Sequence, residues 1–458
     1  MILKGLKAKL GNIEKEHKIA FLISLLVFFV VSISAYYTDF RTLTIWSCNL
    51  WDTLLEKGNP LLFYQYTAEN VYNLPHPLMG CDILVCMPWA VWNLPIWILQ
   101  RFFGLAILEH PWMLFWSKCF LILMVIGCAK TIYDIGKKLM IEENHLLLCV
   151  LLFFSGFYTL NSAVCAGQND IMIVFLILRA LLALVSDRFK LFLFFAALSI
   201  AFEPYFIFSF VAIILLKEKR IHFIALYLCS GLSIFVLQKI PFWNAPMYQE
   251  SLNNGPTKAI IYKLMENMLA ITPYQVSTFI LCLLVVYIVA YFDNEDSWKE
   301  KALYYSMAAL ACFFLFVRQE NYRPLYFFAL VHVVFLLKPK YFRINVIMET
   351  LSTVAMIVFL FINSGDFFSP KWFLLPGTDT KQVEISENLW GGAINSSHNH
   401  VLITVVVACV ATIMVINHPR FNKESKGLCM KAEPYLLIGR SLVFAIPLAL
   451  VILLSYLH

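Results

Sequence analysis

Residues 18–43 read KIAFLISLLVFFVVSISAYYTDFRTL. From Ile19 to Tyr37 the stretch is uncharged, and it is as long as the ~20 apolar residues that a helix needs to cross a bilayer. No small-x-small cleavage site follows it, so it is expected to stay in the chain as a first span and not to be removed as a signal. The span runs out at Asp39, which stands between Tyr36 and Tyr37 on one side and Arg41 on the other. A carboxylate just beyond a span is only weakly penalised, because it reaches interfacial water. Its plain reading is therefore a solvated helix end, and its neighbours must supply any other.

The rest of the chain repeats the pattern. Of 458 residues 61% are hydrophobic and 14% charged, against roughly 25% charged in soluble domains. The mean hydropathy is +0.75. Apolar runs of spanning length recur up to residue 457, and the polar stretches between them are loops of a few tens of residues at most. These features predict an all-α polytopic membrane protein forming one integral domain, 1–458. The net charge of +6 is read as a topology signal and not as a nucleic-acid surface. The twelve cysteines are scattered without a Cys-x-x-Cys pair. Those in apolar runs (Cys119, Cys128, Cys149, Cys282 and Cys312) read as small buried hydrophobes. Cys48 and Cys81 share an expected outer loop, where pairing stays open.

Lysine and arginine clusters mark the cytoplasmic side. They occur at Lys4 to Lys18, Lys137-Lys138, Asp187 to Lys190, Lys217 to Arg220, Lys299/Lys301, Lys338 to Arg343 and Arg420 to Lys431. With the N-terminus inside, about 11 full crossings follow, near 19–37, 113–133, 145–160, 170–186, 221–240, 273–292, 302–317, 324–338, 343–362, 400–418 and 435–457. Residues 190–216 break this rule, with basic clusters at both ends and Glu203-Pro204 in the middle. Proline removes a helix donor and disfavours helix before it, so two half-length helices dipping into the membrane are expected. Residues 82–108, interrupted by Pro88 and Pro95, are read the same way or as one kinked crossing.

This topology sorts the chemically interesting side chains onto the face opposite the lysines. After Asp39 the loop is amphipathic, with Trp46, Leu50, Leu54 and Leu55 on one helical face, as in a helix lying in the interface with Trp as anchor. Gly58-Asn59-Pro60 ends it, and Tyr64, Tyr66 and Tyr72 lead to a rigid NLPHPL turn containing His76. Gln168, Asn169 and Asp170 open a later span; Asp170 serves as a helix N-cap on the structural reading and as a ligand-binding acid on the functional one. VRQENYRPLY (317–326) holds Arg318, Glu320, Tyr322 and Arg323 between two short spans. The arginines either pair with Glu320 or form a guanidinium cradle for a phosphate at membrane depth. His398 and His400, two apart without acids or cysteines nearby, fit a solvated loop better than a metal site. The sequon at Asn395 is a weak signal. No metal or other cofactor is expected.

Taken in order, these features resemble the polyprenyl-phosphate-sugar-dependent integral-membrane glycosyltransferases of the GT-C superfamily, in particular their bacterial mannosyltransferase and dolichyl-phosphate-mannose branches. The resemblance covers roughly residues 19–335 and leaves 336–458 as variable C-terminal helices. It rests on an aspartate after the first span, an aromatic first loop, the YNLPHPL turn (72–78), GQND (167–170) opening a helix, a Pro-broken hairpin and ENYRPLY (320–326). The family's Tyr-x-Tyr-Pro-Pro turn is matched loosely by Tyr72 to Pro77. Its His-Glu-Arg-Tyr segment appears as Gln319 to Tyr322, without the His and the central Arg. Glu203-Pro204 stands where the family carries Lys-Pro, a charge reversal that marks a difference in donor or acceptor handling.

The resemblance implies a catalytic carboxylate in the first outer loop, and the matching position is Asp39. This base would take the proton of an acceptor hydroxyl as that oxygen attacks the anomeric carbon, with inversion. Negative charge growing on the departing phosphate calls for cations, for which Arg318 and Arg323 come first and Arg41 and His76 next. Gln168, Asn169, Asp170, Glu203, Glu320 and Tyr322 are expected to bind substrate. The expected partners are a polyprenyl-phosphate sugar, an acceptor glycan, glycolipid or protein, and membrane lipid, in a bacterial plasma membrane with the site outside. A two-carboxylate hydrolase drawn from Asp39 with Asp52 or Glu56 fits less well, because lipid phosphate leaves without protonation. A flippase or transporter would favour repeated broken helices in two halves, and a polymerase or ligase would favour arginines in the late outer loop. That loop, Asn363 to His400, has only Lys371 and Lys381 as basic residues.

Overall fold

The computed structural model describes residues 15–36, 38–70, 81–105, 107, 110–165, 167–254, 264, 268–271, 274–293, 296–317, 323–363, 371–372, 396–420 and 433–457. It is almost wholly helical, as the hydropathy predicts. Helix α1 (Lys15–Ser34) leads through the short strand β1 (Ala35–Tyr36) to α2 (Thr38–Leu55). Gly58, with φ at +60°, turns the chain out of α2 into α3 (Phe63–Glu69). Then follow α4 (Ile83–Phe103), α5 (Pro111–Lys138), α6 (Glu143–Phe154), a π-helical turn (Thr159–Cys165) and α7 (Asp170–Val185). Next come α8 (Phe189–Phe202), α9 (Phe206–Lys217), α10 (Ile221–Leu237), α11 (Pro246–Asn254), α12 (Thr278–Phe292) and α13 (Trp298–Phe316). The chain closes with α14 (Pro324–Phe335), α15 (Phe342–Asn363), α16 (Ser396–Ile416) and α17 (Glu433–Leu457). Strands β2 (Met268–Ile271) and β3 (Tyr274–Ser277) form a small hairpin, and β1 pairs antiparallel with β4 (Lys371–Trp372).

Among the described residues five helices are long and apolar enough to cross a membrane: Ile83–Phe103, Trp112–Lys138, Ile221–Phe242, Pro339–Phe359 and Asn399–Ile416. The first of these decides between the two readings of 82–108 in favour of one helix. Residues 83–103 form one continuous helix with Pro88 and Pro95 inside it. Its neighbours close around it: Trp51 Nε1 donates to the Ala90 carbonyl at 2.7 Å, and Trp92 and Trp116 stack and exchange indole-to-carbonyl hydrogen bonds at 2.8 and 3.0 Å. Packed neighbours make a proline in an apolar helix tolerable.

The break expected within 190–216 is present, as two half-length helices. Glu203 is extended (φ −149°, ψ 135°) between α8 and α9. At 14 and 12 residues these helices reach about 21 and 18 Å at 1.5 Å per residue, short of a ~30 Å hydrocarbon core, and α6 and α14, both expected to cross, are as short at 12 residues each. Their far ends meet, with Lys217 Nζ 5.0 Å from the Phe189 ring.

Two opposite sets of loops gather at two ends of the bundle. At one end Lys299 pairs with Asp187 at 2.6 Å, Arg420 with Asp293 at 3.2 Å, and Asn345 and Asn417 exchange amide hydrogen bonds at 3.0 and 2.8 Å. At the other end β1 meets β4, Phe40 packs on Gly167, and the start of α4 meets the end of α10. The core lies between, where α14 is buried along its whole length and α7 and α13 nearly so. Helix α2 belongs to this packing. Trp46 and Leu50 are buried, so Trp46 is a core side chain and not the interfacial anchor that its amphipathic stretch suggested.

Candidate functional site

The polar residues at the hairpin end are built up by local geometry. The π-helical turn, a form found mostly at functional sites, delivers the chain to Gly167, whose φ of +67° lets it fold back so that Gln168 N bonds the Ser162 carbonyl at 3.0 Å. A Cβ at Gly167 would lie 2.7 Å from Phe40 Cδ2, so this turn is pressed against the start of α2. Asp39 stands in the first turn of that helix; its side chain lies outside the described residues.

Gln168, Asn169 and Asp170 are all buried. Asp170 is not the N-cap: it is the first helical residue of α7, and Asn169 occupies the cap position without a side-chain bond. Its carboxylate, 2% exposed, instead hydrogen-bonds Tyr326 on α14. The Tyr326 hydroxyl also lies 3.4 Å from Glu203 Oε2 at the hairpin tip. Tyr205, the second residue after Glu203, packs on the Tyr326 ring at 5.6 Å and faces Arg323, whose guanidinium carbon is 5.2 Å from its centroid. Arg323 is 6% exposed and sits at the N-cap of α14. Residues 153 positions apart (170 and 323) thus converge with the turn between α8 and α9. Arg323 and the N-terminal amides of α14 make a positive corner, the arrangement that holds phosphate at a helix start.

Two carboxylates, a phenol, a guanidinium and two amides at one buried corner can hold hydroxyls and a phosphate. Of the other candidates, Arg41 is half-buried and its Nε has no hydrogen-bond partner. His76, Arg318, Glu320 and Tyr322 lie outside the described residues, as do the Tyr72 to Pro77 turn, the side chain of His398 and most of the late outer loop. Cys48 and Cys81 are both free thiols and are not joined to each other. Among the described residues no group of three His, Cys, Asp or Glu side chains is placed to hold a metal ion.

A second cluster adjoins the tip and was not singled out by the sequence. Asp82, just before α4, receives Lys239 in an ion pair, Tyr248 OH at 3.1 Å and Gln238 Nε2 at 3.2 Å. Gln238 Nε2 also donates to the Ala201 carbonyl, at 2.6 Å, tying the cluster to the hairpin. Tyr64 of α3 packs on Tyr248 (4.8 Å) and Phe242 (5.1 Å). Burial and the Asp82 charge push the Tyr248 phenol above its ordinary range, so it stays a donor. The Gln238–Ala201 bond thus places the Asp82 cluster against the chain two residues before Glu203. A usable signal existed: Lys239 is an isolated lysine at the end of a span that the charge rule puts outside.

Deeper in the bundle, Arg440 forks onto Glu349 through Nε (2.7 Å) and Nη2 (2.5 Å), with Nη1 on Ser155 Oγ (2.8 Å) and the Leu152 carbonyl (3.1 Å). His332 Nε2 is 3.6 Å from the same carboxylate. This pair binds α17 and α15 to α6 and is also absent from the sequence reading. No protein-family model, curated protein or solved structure matches the chain.

Proposed function

We propose that the protein is an integral-membrane glycosyltransferase of the GT-C kind, with eleven crossings and one re-entrant hairpin. It would move a sugar from a polyprenyl-phosphate donor to an acceptor hydroxyl at the extracytoplasmic face. One observation carries the reading: the tip of a hairpin too short to cross, the GQND turn and the arginine-bearing start of α14 converge at buried depth beside the first turn of α2. A lipid-linked substrate needs such a corner, polar enough for a sugar phosphate yet reached from the hydrocarbon region.

In this mechanism the acceptor oxygen forms a bond to the anomeric carbon as the bond from that carbon to the phosphate oxygen breaks. Asp39 takes the acceptor proton, a step that typically contributes about a hundred- to ten-thousand-fold in rate. The phosphate leaves as an anion held by Arg323 and the positive end of α14. Asp170 and Glu203, bridged by Tyr326, receive sugar hydroxyls. Arg318, Arg41 and His76 are further phosphate candidates; Gln168, Asn169, Glu320 and Tyr322 complete the substrate contacts.

The test uses protein in lipid nanodiscs with radiolabelled polyprenyl-phosphate hexoses and a membrane and wall extract, beside Asp39→Asn. Transfer by the wild type that falls by a hundredfold or more in the variant supports both class and base. Transfer that survives in Asp39→Asn moves the base elsewhere. No transfer from any donor, while a control transferase works in the same extract, overturns the reading.

A further inference from the structure

The Asp82 cluster is built like a closed salt bridge but is not closed. Asp82 accepts from Lys239, Tyr248 and Gln238, which fills both of its oxygens. Two buried atoms beside it have no hydrogen-bond partner among the described residues, the Tyr64 hydroxyl and Gln238 Oε1. The Gln238 amide is oriented by its own bonds: Nε2 faces two acceptors, Asp82 Oδ2 and the Ala201 carbonyl, so Oε1 must be the outward atom. Tyr64 is 3% exposed and is wedged between Tyr248 and Phe242, so its hydroxyl cannot swing into water. A buried polar atom left unpaired forfeits its hydration without a replacement, so each of these atoms asks for a partner.

From this geometry we infer that the Asp82–Lys239–Tyr248 cluster, with Tyr64 and Gln238, is a binding subsite for the hydroxyls of a pyranose ring. The orphan atoms decide the ligand class. Gln238 Oε1 only accepts, so its partner must carry a proton to give; the Tyr64 phenol is principally a donor and asks for a lone pair. A sugar hydroxyl supplies both at once. A phosphate dianion has no proton for Gln238 Oε1, and the local charge is already balanced, since Lys239 and Asp82 cancel. The Tyr64, Tyr248 and Phe242 rings add an apolar, polarisable wall suited to the C–H face of a sugar. Gln238 reaches the turn between α8 and α9 at Ala201, two residues before Glu203, whereas Arg323 meets it at Tyr205, two residues after. The choice of a sugar as cargo agrees with the proposed glycosyl transfer and rests partly on it. The two unpaired atoms stand independently of it.

The experiment reads binding and not turnover. Saturation-transfer NMR is run on the protein in nanodiscs with a panel of methyl hexopyranosides and disaccharides, with a polyprenyl-phosphate hexose, and with inorganic phosphate. The key variant is Tyr64→Phe, which removes an atom that bonds nothing in the protein and so leaves the melting temperature within about 2 °C of wild type. At least one glycoside should bind the wild type, and Tyr64→Phe should weaken it about five- to tenfold, the worth of one neutral hydrogen bond. Asp82→Asn, checked for folding by its melting temperature, should weaken it further. A free glycoside that binds marks an acceptor subsite, whereas binding by the lipid-linked hexose alone marks the donor sugar. The inference is overturned if no glycoside and no lipid-linked sugar binds, if Tyr64→Phe binds as tightly as wild type, or if inorganic phosphate displaces the sugar. Glycoside binding without any transferase activity would keep this subsite and sink the proposed reaction; transfer with unchanged binding in Tyr64→Phe would do the reverse.

Discussion

The two ends of the bundle each hold a carboxylate with a lysine and a tyrosine. At one end Asp293 takes Lys301 at 2.9 Å, Tyr305 OH at 2.7 Å and Arg420 at 3.2 Å, its side chain 2% and that of Lys301 7% exposed. At the other, Asp82 and Lys239 are 13% and 14% exposed, and the surrounding Tyr64 hydroxyl and Gln238 Oε1 go unpaired. The same three residue types therefore make a fully bonded joint in one place and an incompletely bonded cluster in the other. Completeness of hydrogen bonding separates them, and residue identity does not.

The comparison can be broken most sharply by removing each carboxylate charge. Asp293→Asn leaves Lys301 buried without its counter-ion and is expected to cost about 3–5 kcal/mol, read as a large drop in melting temperature in nanodiscs. Asp82→Asn is expected to cost about 1–2 kcal/mol, because Lys239 reaches water and loses only a charge-assisted bond. Equal losses would mean that the Asp82 cluster is a structural joint as well. The tyrosines give the next contrast. Tyr305→Phe removes a hydrogen bond to a carboxylate, worth about 1.5–3 kcal/mol, whereas Tyr64→Phe removes none and should stay within about 0.5 kcal/mol of wild type. A destabilised Tyr64→Phe would show that its hydroxyl has a structural partner after all.

The smallest effect is a pH dependence at the Asp293 end. Glu218 caps the turn after α9, accepting from Arg220 Nε (3.0 Å) and Nη2 (2.9 Å) and from the Lys219 and Arg220 amides (3.0 Å each). The Arg220 fork and these amides push its carboxyl down to about 2. A depressed carboxyl adds stability that is fully present above its ordinary value near 4.5 and is lost as pH falls toward 2. Glu218→Gln should flatten that acid limb of the melting curve slightly and leave it unchanged above pH 5; a change at neutral pH would contradict the assignment.

Much of the fold was legible because a bilayer constrains sequence strongly. A helix lies in every segment expected to cross, although among the described residues only those near 113–133, 221–240, 343–362 and 400–418 are long and apolar enough to do so, and the break within 190–216 was marked by Glu203-Pro204. The 82–108 segment shows that proline alone is not such a mark. It has two prolines, and it is one helix. At the site, Asp170, Glu203 and Arg323 were each readable as polar residues in costly places, and they meet. Asp82 and Lys239 were not, since 157 residues separate them and a pairing at that distance leaves no periodic trace. Glu349 and Arg440, 91 apart on two apolar helices, were hidden in the same way. Trp46 misled because amphipathicity reports which face is apolar and not whether lipid or protein covers it.

The hairpin's two feet touching has a consequence for how the chain is laid into a membrane. A segment that enters and leaves by the same face contributes zero to the parity of crossings. Helices α8 and α9 could therefore be lengthened, shortened or exchanged for another loop during divergence without inverting any helix downstream. Under the proposed topology the tip residue at Glu203 can thus change one substitution at a time while the sidedness of everything after Lys217 is inherited intact.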